Sequence, residues 1–184
     1  MNLIDLKSRL AACVPAFRRS EMKTDWTSFT QRITIGATTR SIYDAWVKPV
    51  NLERWFLASA IFTASDNRRR ERDGRINAGD TYRWTWHGYP DSIVETGTVL
   101  EANGHSLLRF TFTDECIVSV TIVVEDDERV VELTQSRIPD DDQLRTYLDC
   151  SKGWMFYLTN LKSILEGGID LRNKNSGISN VVNA

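Results

Sequence analysis

The sequence predicts an α+β fold in which an antiparallel sheet of about seven strands packs on one long C-terminal helix. Three observations predict it. Between Asp80 and Arg137, apolar and polar residues alternate in short runs separated by brief turns, the period of strands joined as hairpins. From about Asp142 to Glu166, apolar residues recur at three and four, the period of a helix. Ahead of both, from Phe29 to residue 63, stand a strand signal, two short helix signals and a second strand signal.

The elements follow in order. Leu3, Leu6, Leu10, Cys13 and Phe17 draw one apolar stripe, predicting an N-terminal helix that Pro15 ends or bends. Such a helix packs on its own domain or serves as a dimer arm. Residues 1–28 are assigned to this extension. Phe29 to Gly36 reads as a first strand. Thr38 and Thr39 can cap the next helix, which carries Ile42, Ala45 and Trp46 on one face and stops at Pro49. Asn51 is the expected cap of a second short helix bearing Leu52, Trp55 and Phe56. Residues 58–63 form the next strand. Ser65 to Arg75 mixes arginines with Asp66, Glu71 and Asp73 and lacks interleaved aromatics, so it reads as a mobile, solvated loop rather than a phosphate-binding element.

Tyr82, Trp84 and Trp86 fall on one face of the following strand. Residues 93–101 make another, and Asn103-Gly104 turns the chain. Leu108, Phe110 and Phe112 share a face, as do Val118, Val120, Ile122 and Val124. Asp126-Asp127 then returns the chain through Arg129 to Arg137. The long helix that follows spans about 37 Å, and Gly167-Gly168 stops it. Leu144, Tyr147, Leu148, Ser151, Trp154, Met155, Leu158, Leu161 and Leu165 are expected on one broad face. The Asn-, Ser- and Gly-rich residues 171–184 are expected to fray.

Composition narrows function. The 184 residues fit one domain with an extension, and the net charge of −2 gives no sign of nucleic acid. The three cysteines, Cys13, Cys116 and Cys150, form no CxxC pair, which predicts a reducing cytoplasmic setting without a disulfide framework. Asp5, Lys7 and Arg9 interrupt any secretory signal, and no run suits membrane insertion.

The strings "ITIGATTRSIYDAWVKPVNLERWF", "ETGTVLEANGHSLLRFTF" and "GWMFYLTNLKSILEGG" carry a resemblance over residues 29–170. Leu52, Trp55 and Phe56 match a Leu-x-x-Trp-Phe segment, and Gly153-Trp154, Asn160-Leu161-Lys162 and Leu165-Glu166 match a C-terminal helix. In order and spacing the chain resembles the heat-shock chaperone ATPase activator homologue family, within the START-like (SRPBCC) superfamily. The resemblance implies the helix-grip fold, a curved sheet wrapped around the long helix with a cavity between them. One branch of that family stimulates a chaperone's ATPase and carries a separate N-terminal domain, for which the stretch ahead of Phe29 is too short.

That cavity is expected to be lined by Trp55, Tyr82, Trp84, Trp86, Phe110, Phe112, Tyr147, Ser151, Trp154 and Leu158, and to hold a small apolar or amphipathic molecule. Gly153 and Ser151 supply room there, since glycine inside a helix costs about 1 kcal/mol relative to alanine. No catalytic residue, cofactor or metal site is assigned. His105 follows a turn glycine, and alternation sends His87 outward. Cys116 and Cys150 lie in no nucleophile motif and read as small buried hydrophobes. Two other readings stay open. One is an aromatase/cyclase-type enzyme using Glu95, Tyr82 or Tyr147 as an acid–base group; the other is a co-chaperone-like interaction module, with a homodimer or a protein partner.

Overall fold

The computed structural model describes residues 25–113, 115–175 and 177–178. The helix expected over residues 3–17 lies outside the described residues. The order is β1 (Phe29–Thr34), α1 (Thr39–Val47), α2 (Pro49–Trp55), β2 (Ser59–Thr63), β3 (Thr81–Thr85), β4 (Glu95–Ala102), β5 (Leu107–Phe112), β6 (Cys116–Glu125), β7 (Glu128–Ser136) and α3 (Gln143–Leu165). The strands form one antiparallel sheet ordered β1-β7-β6-β5-β4-β3-β2. From β2 to β7 every neighbour in the sheet is a neighbour in sequence. Only β1 crosses over, so α1 and α2 carry the chain from one edge of the sheet to the other.

Local chemistry explains the corners. Asp126 and Asp127 both take positive φ, which is what a two-residue hairpin between Glu125 and Glu128 requires. At the β4–β5 turn, Asn103 Oδ1 accepts from the backbone N–H groups of His105, Ser106 and Leu107, and Gly104 takes the left-handed conformation. Leu100 is an extra residue between the Val99–Phe110 and Glu101–Arg109 pairs, and this bulge adds bend where the sheet curves around α3.

Thr38 caps α1 as expected, its hydroxyl accepting from Ser41 N at 3.1 Å. The cap assigned to Asn51 is corrected. Pro49 both stops α1 and opens α2, because at the first helical position its missing N–H would have had no partner anyway. Asn51 lies inside α2, where its amide donates to Asp44 O at 3.0 Å.

The core lies between the sheet and the three helices, with Tyr43, Trp46, Trp55, Phe62, Phe110, Leu158 and Leu161 among its most buried side chains. The broad face expected of α3 is corrected as well. Trp154, Leu158 and Leu161 are buried with Asn160, but Leu144, Leu148 and Met155 are exposed. A helix laid on a curved sheet touches it along a narrow line, so the flank of a wide apolar stripe stays outside.

Polar clasps tie the periphery to this core. Buried Asp80 accepts from Arg70 Nε and Nη2, each at 2.8 Å, and from Asn77 N at 2.9 Å. Arg75 Nε donates to Asp44 at 2.8 Å, and Arg72 pairs with Glu53. The 65–75 loop is thus exposed at Ser65 to Arg69 yet fastened at three later arginines. Beyond α3, Arg172 is buried despite its place in the segment expected to fray. Its guanidinium donates to the carbonyls of Glu53 and Arg54, left open in the last turn of α2, to the carbonyl of Leu57 just beyond that helix, and to Asp170.

Candidate functional site

A cleft of about 550 Å³ opens at one end of the sheet beside the middle of α3. Its apolar wall is Phe56, Trp86, Phe112, Trp154 and Tyr157, with Tyr89 and Ile93 in the segment between β3 and β4. Glu95, Thr113, Asp149, Cys150 and Lys152 bring polar atoms, and Gly153 forms part of the lining.

Three features of the sequence make this opening. First, β3 ends at Thr85, and Trp86 to Val94 leave the sheet before β4 begins at Glu95. Second, Gly153 has no side chain, and a Cβ built there would meet nothing within 4 Å. Third, the surrounding rings brace one another. Phe56 meets Tyr157 edge-on at 4.7 Å and Trp86 at 6.0 Å between centroids; it also lies tilted against Trp154 at 5.2 Å. Edge-on and tilted contacts of this kind suit the charge distribution of aromatic rings. Trp154 is further fixed by its indole N–H, which donates to the buried Gln135 Oε1 at 2.8 Å.

The polar groups are set by their surroundings. Glu95 accepts from Thr113 N at 2.8 Å and from the Thr113 hydroxyl at 3.3 Å. Burial pushes the Cys150 thiol up, which keeps it protonated and a poor nucleophile at neutral pH. Burial also raises Tyr157, which remains a neutral phenol. Among the described residues no cluster of three His, Cys, Asp or Glu side chains is placed to hold a metal ion.

Of the residues expected to line a cavity, Trp86, Phe112 and Trp154 meet at this cleft. Trp55, Tyr82, Trp84, Phe110 and Leu158 lie in the buried core. Tyr147 stands toward the first turns of α3, against Trp26 at 4.9 Å and Phe29 at 5.2 Å. Ser151 accepts from the Gln31 amide at 2.9 Å, on the flank of α3 facing β1. Sequence reasoning did not name Phe56, Tyr89, Ile93, Cys150 or Tyr157 as lining residues. Tyr157 had a signal, lying three residues from Trp154 and so one turn along the helix. Tyr89 and Ile93 had none, because no periodicity governs the segment between strands.

His87 is half-buried rather than outward. The alternation that would direct it stops when β3 ends at Thr85. Burial lowers its pKa, and the positive charges of Arg172 and Lys174 add to that.

The family model described as Activator of Hsp90 ATPase homolog 1-like protein matches residues 36–166. The chain belongs to this family. The match runs from Gly36, just after β1, to Glu166 at the end of α3, and so spans both elements that enclose the cleft. Solved structures agree on the fold of this Activator of Hsp90 ATPase homolog 1-like chain. The protein SSP2350 from Staphylococcus saprophyticus superposes with a TM-score of 0.63 at 18% identity, covering 79% of this chain and 96% of that one. The Aha1 dimer from Colwellia psychrerythraea gives 0.59 at 17% identity, over 77% and 97%. CalU16 from Micromonospora echinospora gives 0.57 at 17% identity, over 78% and 77%. At such identities these likenesses establish the helix-grip fold and nothing finer. No curated protein matches the chain. Among the described residues no helix is long and apolar enough to cross a membrane.

Proposed function

We propose that this domain binds a small apolar or amphipathic molecule in the cleft beside Gly153, without covalent chemistry, as a cytoplasmic protein. The observation that carries the reading is a ring of braced aromatic side chains around an opening of about 550 Å³. Ligand sites commonly enclose volumes on the order of several hundred cubic ångströms, and this one falls in that range. Trp86, Phe112, Trp154 and Tyr157 offer flat apolar surface, while Glu95, Asp149 and Lys152 stand where a polar end can be held. The raised Cys150 thiol weighs against a thiolate nucleophile, which favours binding over acyl transfer. The cytoplasmic setting rests on cysteines that form no CxxC pair.

The test uses the uncharged fluorophore N-phenylnaphthylamine. Its emission should rise on binding while Trp86 and Trp154 are quenched, and it should raise the melting temperature by favouring the folded state. Gly153→Phe fills the cleft from a position with open space around it, so the fold should survive and affinity should fall by about tenfold or more. Equal binding by the unmodified and Gly153→Phe proteins would move the site elsewhere. No binding by the unmodified protein would sink the reading in favour of a protein-interaction role.

A further inference from the structure

Strand β7 places one amide among apolar neighbours. Its inward residues Val131, Leu133 and Gln135 are all fully buried. Across the sheet Gln135 lies between Phe29 of β1 and Val118 of β6, which are buried too. A leucine would suit this row. A glutamine there gives up water at its NH2 group and its carbonyl oxygen, and whichever stays unpaired costs stability.

The described residues satisfy one half of this amide. Gln135 Oε1 accepts from the Trp154 indole N–H at 2.8 Å. An indole N–H can only donate, so the contact fixes which way the amide faces. Gln135 Nε2 is left without a hydrogen-bond partner among the described residues. It lies beside the Cys150 thiol: burial pushes that thiol up, and the Gln135 amide acts on it in the opposite sense. Sulfur is a weak acceptor and does not answer this donor. The buried indole N–H groups of Trp46 and Trp84 also lack partners, but neither ring lines the cleft. Cys150 and Trp154 do line it, so the open amide stands behind the part of the cleft wall that these two residues form.

We propose that Gln135 Nε2 is a ligand-recognising donor, and that the molecule bound in the cleft is a neutral one whose apolar body carries a carbonyl oxygen that accepts from it. This rests on the reading of the cleft as a binding site. The Cys150 sulfur hangs from α3 by one rotatable bond, and turning it aside opens the way from the cleft to the amide. The acceptor is a neutral carbonyl rather than a carboxylate. Gln135 has no charge to balance an anion, and Glu95 already brings negative charge toward Cys150. Lys152, the cation of the lining, is exposed, so a carboxylate beside Gln135 would be a buried charge without a partner.

The test compares two naphthalene fluorophores that differ at one group: prodan, which bears a ketone, and dimethylaminonaphthalene, which lacks it. N-phenylnaphthylamine, which has no carbonyl, reports on the cleft alone. The full chain should bind prodan about three- to tenfold more tightly than dimethylaminonaphthalene, the worth of one hydrogen bond. Gln135→Leu should erase that preference. Cys150→Ala should tighten prodan binding, since a smaller side chain widens the approach to the amide. In the unmodified, isotope-labelled protein, prodan should move a side-chain N–H resonance of Gln135 downfield, a readout that needs no variant to fold. Equal affinity for the two fluorophores overturns the proposal, as does an unmoved Gln135 resonance with prodan bound. So does a preference that survives Gln135→Leu, or one that Cys150→Ala removes, which would assign the contact to the thiol. If N-phenylnaphthylamine binds while prodan shows no preference, the ligand chemistry falls and the cleft stands. If none of the three binds, the cleft reading falls and takes this proposal with it.

Discussion

Gly97 sits opposite Tyr82 on the neighbouring strand, where an added Cβ would come within 2.5 Å of the Tyr82 hydroxyl oxygen and 2.7 Å of Thr111 Oγ1. Tyr82 cannot retreat without cost, because its hydroxyl donates to Thr111 O and its ring stacks on Trp84 at 3.8 Å. Gly97→Ala should therefore destabilise by about 1–3 kcal/mol, the usual cost of overpacking. Gly153 is the opposite case. It lies inside α3 with no neighbour near its missing Cβ. Gly153→Ala should therefore stabilise the fold by about 1 kcal/mol through helix propensity alone. Urea denaturation of both variants checks the pair. A gain for Gly97→Ala, or a loss for Gly153→Ala, would mean that the space around these residues has been misread. The sequence marked Gly153 as unusual through its place in a helix, but it could not mark Gly97, whose constraint comes from a residue on another strand.

At the scale of the element, α3 divides its apolar residues among three surroundings. Leu161 is fully buried against the core, Gly153 and Trp154 face the cleft, and Leu144, Leu148 and Met155 look outward. Leu161→Ala should cost about 2–5 kcal/mol, as a buried leucine replaced by a cavity does. An unchanged denaturation midpoint would contradict this packing of α3. The turn after α3 is held by Asn160, which is buried, donates to Trp55 O at 2.6 Å and accepts from Leu171 N at 2.8 Å. Helical periodicity locates α3 well, because three-and-four spacing is written in the residues themselves. It does not say which third of an apolar surface meets which neighbour, since that depends on the curvature of the sheet.

For the whole molecule, the C-terminal clasp links folding to pH. His87 lies near Arg172, Lys174 and Asp170, and burial and the two cations depress its folded pKa. The ordinary value is about 6.5, so the unfolded chain takes up this proton first. The stability involved is complete above about pH 6.5 and is lost as pH falls from there through the lower folded value. Asp170 acts in the same sense further down the scale. Burial would raise its carboxyl, but hydrogen bonds from Arg172 and Lys174 outweigh that and hold it well below the usual carboxylate range. Its contribution is present above the ordinary value of about 3.9 and fades as the pH drops below it. Melting temperature should thus decline from about pH 7.5 to about pH 5.5, and His87→Gln should flatten that decline while sparing the loss below about pH 4. Identical slopes for both proteins would remove His87 from the linkage. The sequence by itself determined the antiparallel hairpins and the long C-terminal helix, because period-two and three-and-four spacing together with turn chemistry are local properties, and the family was legible through the resemblance of its strings taken in order. Only the tertiary structure decided where the opening lies, that Arg172 closes α2, and that Trp55, Tyr82, Trp84, Phe110 and Leu158 are core while Phe56 and Tyr157 reach the cleft. Whether an aromatic side chain fills space or borders it depends on what the rest of the chain brings against it, and no spacing along one strand or helix records that.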